Sequence, residues 1–310
     1  MESLKKLSAK TDFGQVTNQV LNQLETKELK KLTTIEEAIQ LYKNQDYTLQ
    51  CEGHTYVTDK AISTKNFMEN LILGQSDALS HSSTTNPPVN CKYSIKYNGY
   101  LQDDKKEGFG LLKSSTNNTP VVLGFWKEDR LYGKINYLFH KNGNIMYKGA
   151  FVDNIKVGFG KEFYNNGFLY YKGQYAKNLP DGNDIKLYYS NGNLKYSGDC
   201  AQGVYQGFGS FYWPNGILRY QGNWSDGKIT GNNVKIYYNN GNVEYEGQMR
   251  DGQFEGVGRY FYENGRKKFE GTLRKGKPIV DDMFEMYDLS GSVIAFDDRR
   301  FNRDEIISRI

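Results

Sequence analysis

From residue 97 onward the chain repeats itself every 24 or 25 residues. An aromatic-x-Gly element, "YNG" at Tyr97, recurs as "YKG" at Tyr147 and Tyr171, "YSG" at Tyr196, "YQG" at Tyr220, "YEG" at Tyr245 and "FEG" at Phe269, while "VLG" at Val122 keeps the register without the aromatic. The start-to-start spacings are 25, 25, 24, 25, 24, 25 and 24. A fixed period of this size means stacked units, none of which buries its apolar face alone. Other glycines keep step. Nine residues after each first Gly stands another, at Gly108, Gly133, Gly158, Gly182, Gly207, Gly231 and Gly256. A third, two residues later, occurs only in alternate units, as Gly110, Gly160, Gly209 and Gly258, where the intervening units carry Ile135, Asp184 and Asn233. A double repeat of about 49 residues thus overlies the single one.

An Asn-Gly pair at 142, 166, 191, 215, 240 and 264 closes most units. Between alternating apolar residues it is a hairpin signal, because both residues tolerate positive φ. A period-2 run such as "VKIYYNNG", with Val234, Ile236 and Tyr238 on one face, precedes it, and a second short strand follows. Each unit therefore reads as two antiparallel strands. A lone hairpin is marginal in water, so the units pair edge to edge. Eight units give about sixteen strands at roughly 4.8 Å, an elongated single-layer antiparallel sheet about 75 Å long. Equivalent aromatics stack in rows and supply the core that one layer otherwise lacks.

The first 96 residues are of another kind. They hold six of the 45 aromatic residues, and their charges cancel, so the net +4 of the chain resides in the repeats. Apolar stripes predict helices over 12–31, from Thr34, and from Asp59 to Gly74. Residues 75–90, "QSDALSHSSTTNPPVN", have linker composition. The expected organisation is a small helical segment over 1–74, a linker over 75–96, the repeat array over 97–291 with its last unit degenerate, and a tail or cap over 292–310. Three widely spaced cysteines suggest a reducing compartment and no disulfide framework. No apolar run approaches bilayer length, and "MESLKKLSAK" is not followed by a signal core. A cytoplasmic protein is expected.

Stretches such as "YQGNWSDGKITGNNVKIYYNNG" and "YEGQMRDGQFEGVGRYFYENG" resemble MORN repeats (membrane occupation and recognition nexus). The resemblance covers about residues 97–277 and implies the hairpin sheet above. It also implies a role as a scaffold or membrane-associated adaptor, as in ciliary and other cytoskeletal assemblies. Some similar proteins join the repeats to lipid kinase or methyltransferase domains, for which this chain shows no evident room. Unit one departs from the pattern at "KSSTNNTP", and unit eight decays after "FEGTLRKGKP". Terminal repeats often depart in this way, because they cap open strand edges.

Motifs that suggest catalysis have duller explanations. "GNWSDGKIT" at 222–230 opens like a phosphate loop, but Ile229 stands where Ser or Thr belongs, and a β pattern follows instead of a helix. Units seven and eight repeat the glycine interval as "GQMRDGQ" and "GTLRKGKP", so the spacing belongs to the repeat. Trp224 then joins the aromatic rows, and "SDGK" forms a turn. "GFG" and "GVG" lack the third glycine and the helix of a dinucleotide fingerprint. Cys51 and His54 make a metal half-site without a second pair. The expectation is a non-enzymatic protein without cofactor or metal, working through protein partners, with homodimerisation open and no nucleic acid. Two candidate surfaces emerge. The basic run Arg266, Lys267, Lys268, Arg274, Lys275 and Lys277 suits an anionic lipid surface or an acidic partner. Rows built from Tyr147, Tyr171, Tyr196, Tyr220, Trp224 and Tyr245 would line a peptide groove if their face is open.

Overall fold

The computed structural model describes residues 55–62 as backbone, and residues 95–279 and 284–294 in full. The helices expected over 12–31 and from Thr34, the linker over 75–90 and residues 295–310 lie outside the described residues. The third expected helix is corrected at its start, because Thr55–Ile62 is a strand, β1. It runs antiparallel to β2 (Ile95–Gln102), with Thr55 opposite Leu101 and Ile62 opposite Ile95. The first hairpin would otherwise present a row of unpaired N–H and C=O groups. Pairing with that edge overrides the local helical stripe, and Thr55, Tyr56 and Val57 suit a strand.

The described chain is mainly β and contains no helix among the described residues. It divides into two units, with the boundary after Gly160. In the first, β2 is followed by β3 (Lys105–Ser114), β4 (Pro120–Lys127), β5 (Arg130–Phe139) and β6 (Ile145–Val152), each antiparallel to the one before; β7 (Ile155–Phe163) follows. In the second, β8 (Leu169–Ala176) pairs with both the short β9 (Leu179–Pro180) and β10 (Gly182–Tyr188). The meander continues through β11 (Leu194–Ala201), β12 (Val204–Tyr212), β13 (Leu218–Ser225), β14 (Lys228–Tyr237), β15 (Val243–Arg250), β16 (Gln253–Phe261) and β17 (Lys267–Arg274). It ends on two stubs, β18 (Lys277–Ile279) and β19 (Glu285–Met286), both paired with β17. The shortness of these stubs matches the decay expected in unit eight and blunts the edge.

Two kinds of turn alternate, and the tighter one is not Asn-Gly. Two-residue turns with positive φ at both positions join β2 to β3 (Asp103 49°, Asp104 61°), β11 to β12 (Gln202 48°, Gly203 78°) and β13 to β14 (Asp226 49°, Gly227 74°). Paired positive φ matches the right-handed twist of the flanking strands. "SDGK" is thus a turn, as expected. In the Asn-Gly turns only the glycine takes positive φ, as at Gly192 (89°). There the Gly192 N–H donates to Tyr189 O at 2.9 Å, and the Tyr189 N–H to Asn193 O at 2.8 Å, a type I turn closed by a left-handed glycine. The asparagine acts through its side chain: Asn191 Oδ1 accepts the Asn193 N–H at 3.0 Å, and Asn191 Nδ2 donates to Pro214 O of the next turn at 2.9 Å.

Within each unit the core lies on one face of the sheet. Tyr97 and Tyr147 in the first unit, and Tyr171, Tyr196, Tyr220, Tyr245 and Phe269 in the second, are 0–2% exposed. Removing such a ring from water contributes about 2–3 kcal/mol. Each tyrosine doubles back over the glycine two residues on, and its hydroxyl donates to the carbonyl three residues on, as Tyr196 does to Asp199 O at 2.9 Å. This geometry explains aromatic-x-Gly and Gly-x-Gly together. A Cβ added at Gly198 would stand 2.5 Å from both Tyr196 Oη and the Gly209 Cα. The two glycines face each other across the pair, and the ring covers both.

The alternation of 24 and 25 residues also acquires a cause. In the Gly-x-Gly strands the register with the following strand is continuous through both glycines, as in Gly207 to Trp224, Phe208 to Asn223 and Gly209 to Gly222. In the intervening strands it jumps, from Gly133–Phe151 to Asn136–Gly149, from Gly182–Cys200 to Ile185–Gly198, and from Gly231–Met249 to Val234–Gly247. In the units that begin at 122, 171 and 220 the 25th residue is the extra residue of a β-bulge. It turns Asn136, Ile185 and Val234 into the core, where they are 0–2% exposed. Asn136 serves the unit whose aromatic is replaced by Val122. Its Oδ1 accepts the Phe125 N–H at 2.8 Å, and its Nδ2 donates to Tyr132 O and Gly133 O.

Candidate functional site

A second bulge recurs just before each core tyrosine. Leu187 faces Tyr196 but Tyr188 faces Leu194, so Lys195 is the extra residue; Arg219, Glu244 and Lys268 hold the same place before Tyr220, Tyr245 and Phe269. A bulge redirects the side chains around it. Lys195 Nζ lies 5.8 Å from the ring centroid of Tyr189 and 5.9 Å from that of Phe211, whose ring adjoins Tyr196 and Trp224. The Arg219 guanidinium sits 4.2 Å over Trp213, and Lys268 Nζ 5.5 Å over Tyr262. Tyr189, Trp213, Tyr238 and Tyr262 are each the aromatic two residues before an Asn-Gly pair.

These four aromatics also tie one hairpin to the next. Tyr189 Oη donates to Tyr212 O at 2.7 Å, Trp213 Nε1 to Tyr237 O at 2.9 Å, Tyr238 Oη to Phe261 O at 2.8 Å and Tyr262 Oη to Tyr287 O at 2.9 Å. Fixed by these bonds, the rings form a half-exposed strip along the Asn-Gly ends of the second unit, with Lys195, Arg219, Glu244 and Lys268 beside them. Partial burial raises the phenol pKa of Tyr189 against the opposing pull of Arg219, and it also raises that of Tyr238. Burial lowers the Lys195 ammonium pKa. Such a strip offers rigid amphipathic area with fixed charges, a combination suited to recognising another macromolecule.

Both surfaces named from the sequence are rearranged. The groove of Tyr147, Tyr171, Tyr196, Tyr220, Trp224 and Tyr245 is corrected: the five tyrosines are 0–2% exposed and Trp224 9%, so they form the core and no partner reaches them. The physical reason is the inward fold of each ring over its glycines. The basic run does not form one cluster. Arg266, Lys267 and Lys268 stand at the Asn-Gly end of β17, and Arg274, Lys275 and Lys277 at its other end, about 23 Å away. Arg266 Nη1 donates to Leu289 O and Ser290 O at 3.0 and 2.6 Å. Lys267 pairs with Glu270 at 2.6 Å and lies 4.6 Å over Tyr287. Of the six, Lys268 joins the aromatic strip. The sequence reading did not single out Tyr189, Trp213, Tyr262, Lys195, Arg219 and Glu244, and it named Tyr238 only as part of a strand face. Their signals were present, as an aromatic two residues before Asn-Gly and a residue just before the core tyrosine, but only the bulge brings the two together.

Comparison with known families returns the same period. A MORN repeat model matches residues 97–119, 147–168, 196–217 and 245–265, and a MORN repeat variant model matches 232–251. No curated protein matches the chain. The four principal matches begin on Tyr97, Tyr147, Tyr196 and Tyr245, the tyrosines of the units whose strands carry Gly-x-Gly without the extra bulge residue. Four matches at the double period, each starting on a buried ring of the core row, make this chain a MORN-repeat protein.

Proposed function

We propose that the chain is a non-enzymatic scaffold whose second unit docks a protein partner along the strip of Tyr189, Trp213, Tyr238 and Tyr262. The observation that carries this reading is the recurrence of a half-exposed ring with an adjacent charge at successive hairpins, in the order Lys195, Arg219, Glu244, Lys268. Equivalent residues are two strands apart, about 9–10 Å. A complementary partner presents acidic, acidic, basic and acidic groups at that interval. A cytoskeletal or ciliary assembly is the proposed setting, and self-association places a second copy in the partner's role. The test is native affinity purification with cross-linking, on the wild type and on the pair Lys195→Glu with Arg219→Glu. A partner lost on charge reversal and cross-linked to the strip supports the reading. Partners retained at wild-type level, or cross-linked elsewhere, refute it.

A second reading rests on one corner of the sheet. Arg274, Lys275 and Lys277 surround an exposed turn, and their side chains form no ion pair among the described residues. Each basic group near an anionic bilayer contributes about 1 kcal/mol. Pelleting with phosphatidylserine vesicles, with and without Lys275→Glu and Lys277→Glu, tests contact with anionic lipid. Absent or unchanged binding removes this reading and leaves the protein scaffold standing.

A further inference from the structure

The second unit contains five Asn-Gly turns, at Asn166, Asn191, Asn215, Asn240 and Asn264, and one of them differs. Asn-Gly is the dipeptide most prone to spontaneous loss of ammonia, because glycine offers no side-chain obstruction to attack by its own amide nitrogen. All five turns hold that nitrogen alike. The glycine N–H donates to the aromatic carbonyl at 2.9, 2.9, 2.8, 3.0 and 2.8 Å for Gly167, Gly192, Gly216, Gly241 and Gly265. All five also hold the carboxamide oxygen alike. Oδ1 accepts the N–H two residues on, at 3.1, 3.0, 3.1, 2.9 and 3.0 Å.

The carboxamide nitrogen is where they part. Nδ2 donates to Ser190 O from Asn166 (3.1 Å), to Pro214 O from Asn191 (2.9 Å), to Asn239 O from Asn215 (2.8 Å) and to Glu263 O from Asn240 (2.9 Å). Asn264 Nδ2 makes no such bond among the described residues. The carbonyls of the next turn, Leu289 O and Ser290 O, are taken by Arg266. The ladder of amides that ties each turn to its successor ends here.

We propose that Asn264 is a site of spontaneous deamidation, set apart from the four preceding turns by that missing hydrogen bond. In the reaction the Gly265 nitrogen loses its proton and bonds to Asn264 Cγ, the Cγ–Nδ2 bond breaks, and ammonia leaves. Water then opens the cyclic imide at either carbonyl, giving aspartate or isoaspartate. To react, the carboxamide must rotate towards the glycine nitrogen. In the four earlier turns that rotation breaks a bond to the next hairpin, and at Asn264 it does not. The product adds a negative charge two residues from Arg266. Its isoaspartate form also lengthens the backbone of the turn from which Arg266 reaches the last hairpin.

The experiment incubates the folded full chain in mildly alkaline buffer and follows aspartate and isoaspartate at each Asn-Gly peptide by chromatography and mass spectrometry. A parallel sample in guanidinium gives each site its intrinsic rate. One hydrogen bond of ordinary net strength corresponds to a rate ratio of about 5. The expected result is therefore that Asn264, after division by its guanidinium rate, reacts about fivefold faster than Asn166, Asn191, Asn215 and Asn240. Equal normalised rates across the five turns overturn the proposal, as does a lead of Asn264 that persists unchanged in guanidinium.

Discussion

Replacing Gly198 by alanine tests the account of the core most directly. The added Cβ would stand 2.5 Å from the Gly209 Cα, 2.5 Å from Tyr196 Oη and 2.6 Å from Phe208 O. Two of these atoms are backbone in a paired strand and cannot yield without breaking the register between β11 and β12. The third can move only if the Tyr196 ring swings out, losing its bond to Asp199 O and its place in a cluster with Tyr205 and Trp224 at 4.3 and 6.0 Å. Overpacking a filled core costs about 1–3 kcal/mol, and the lost hydrogen bond adds about 1. A total near 3 kcal/mol corresponds to roughly 6–12 °C in a body of this size. Gly216→Ala is the comparison, since nothing lies within 4 Å of its added Cβ and only its φ of 88° resists. That strain costs about 1–2 kcal/mol. Urea unfolding followed by circular dichroism, with hydrogen exchange at β11 and β12 reporting the local effect, gives the two costs. If Gly198→Ala proved no more destabilising than Gly216→Ala, the explanation of aromatic-x-Gly as a ring seated on bare backbone would fail.

Other outcomes follow from the same contacts. Asn136→Leu removes a fully buried carboxamide and leaves the part-buried Phe125 N–H without its acceptor, and the expected loss is about 2 kcal/mol in thermal unfolding despite the gain in apolar volume. The core tyrosines Tyr196, Tyr220 and Tyr245 have phenol pKa values held well above the ordinary 10.0, chiefly by burial. A raised folded pKa means that this stability is complete below about pH 10 and is lost as pH rises through the folded values; phenolate absorbance should therefore appear together with unfolding, not ahead of it. The Lys267 and Arg259 side chains hold the Glu270 carboxyl below its usual range. A depressed folded pKa makes the contribution complete above about pH 4.3 and lost as pH falls through the folded value, so Glu270→Gln should flatten the acid limb of the stability profile. Burial pushes the Cys200 thiol up to about 12, so disulfide reagents should label it in the folded chain only at the rate of opening, and a rapid stoichiometric reaction would contradict its place in the core.

Much of this architecture was legible in the letters alone, because a repeat states its rule several times. The period, the hairpin character and the reading of "GNWSDGKIT" as a join between two strands all rest on comparing equivalent positions. Asp226 and Gly227 do form the turn, and Trp224 does lie in the core. Reading each unit as two antiparallel strands of strict period 2 failed where one residue changes the register. Tyr196 and Lys195 are neighbours in sequence, which in an even strand would point to opposite faces; the bulge instead leaves Lys195 beside Tyr189 and Phe211. The basic run from Arg266 to Lys277 failed for the opposite reason, since contiguity in sequence became separation along a strand.

The sequence by itself determined that this chain is built from stacked hairpins with an aromatic row, because period, glycine placement and alternation are local quantities repeated often enough to be counted. Only the tertiary structure decided which aromatics are buried and which stay half-exposed. That choice depends on the extra residue in each bulge, and Thr55–Ile62 likewise became a strand only by pairing with an edge some forty residues away. Both are long-range backbone pairings, set by which carbonyl meets which amide across neighbouring strands, and no single repeat carries that information.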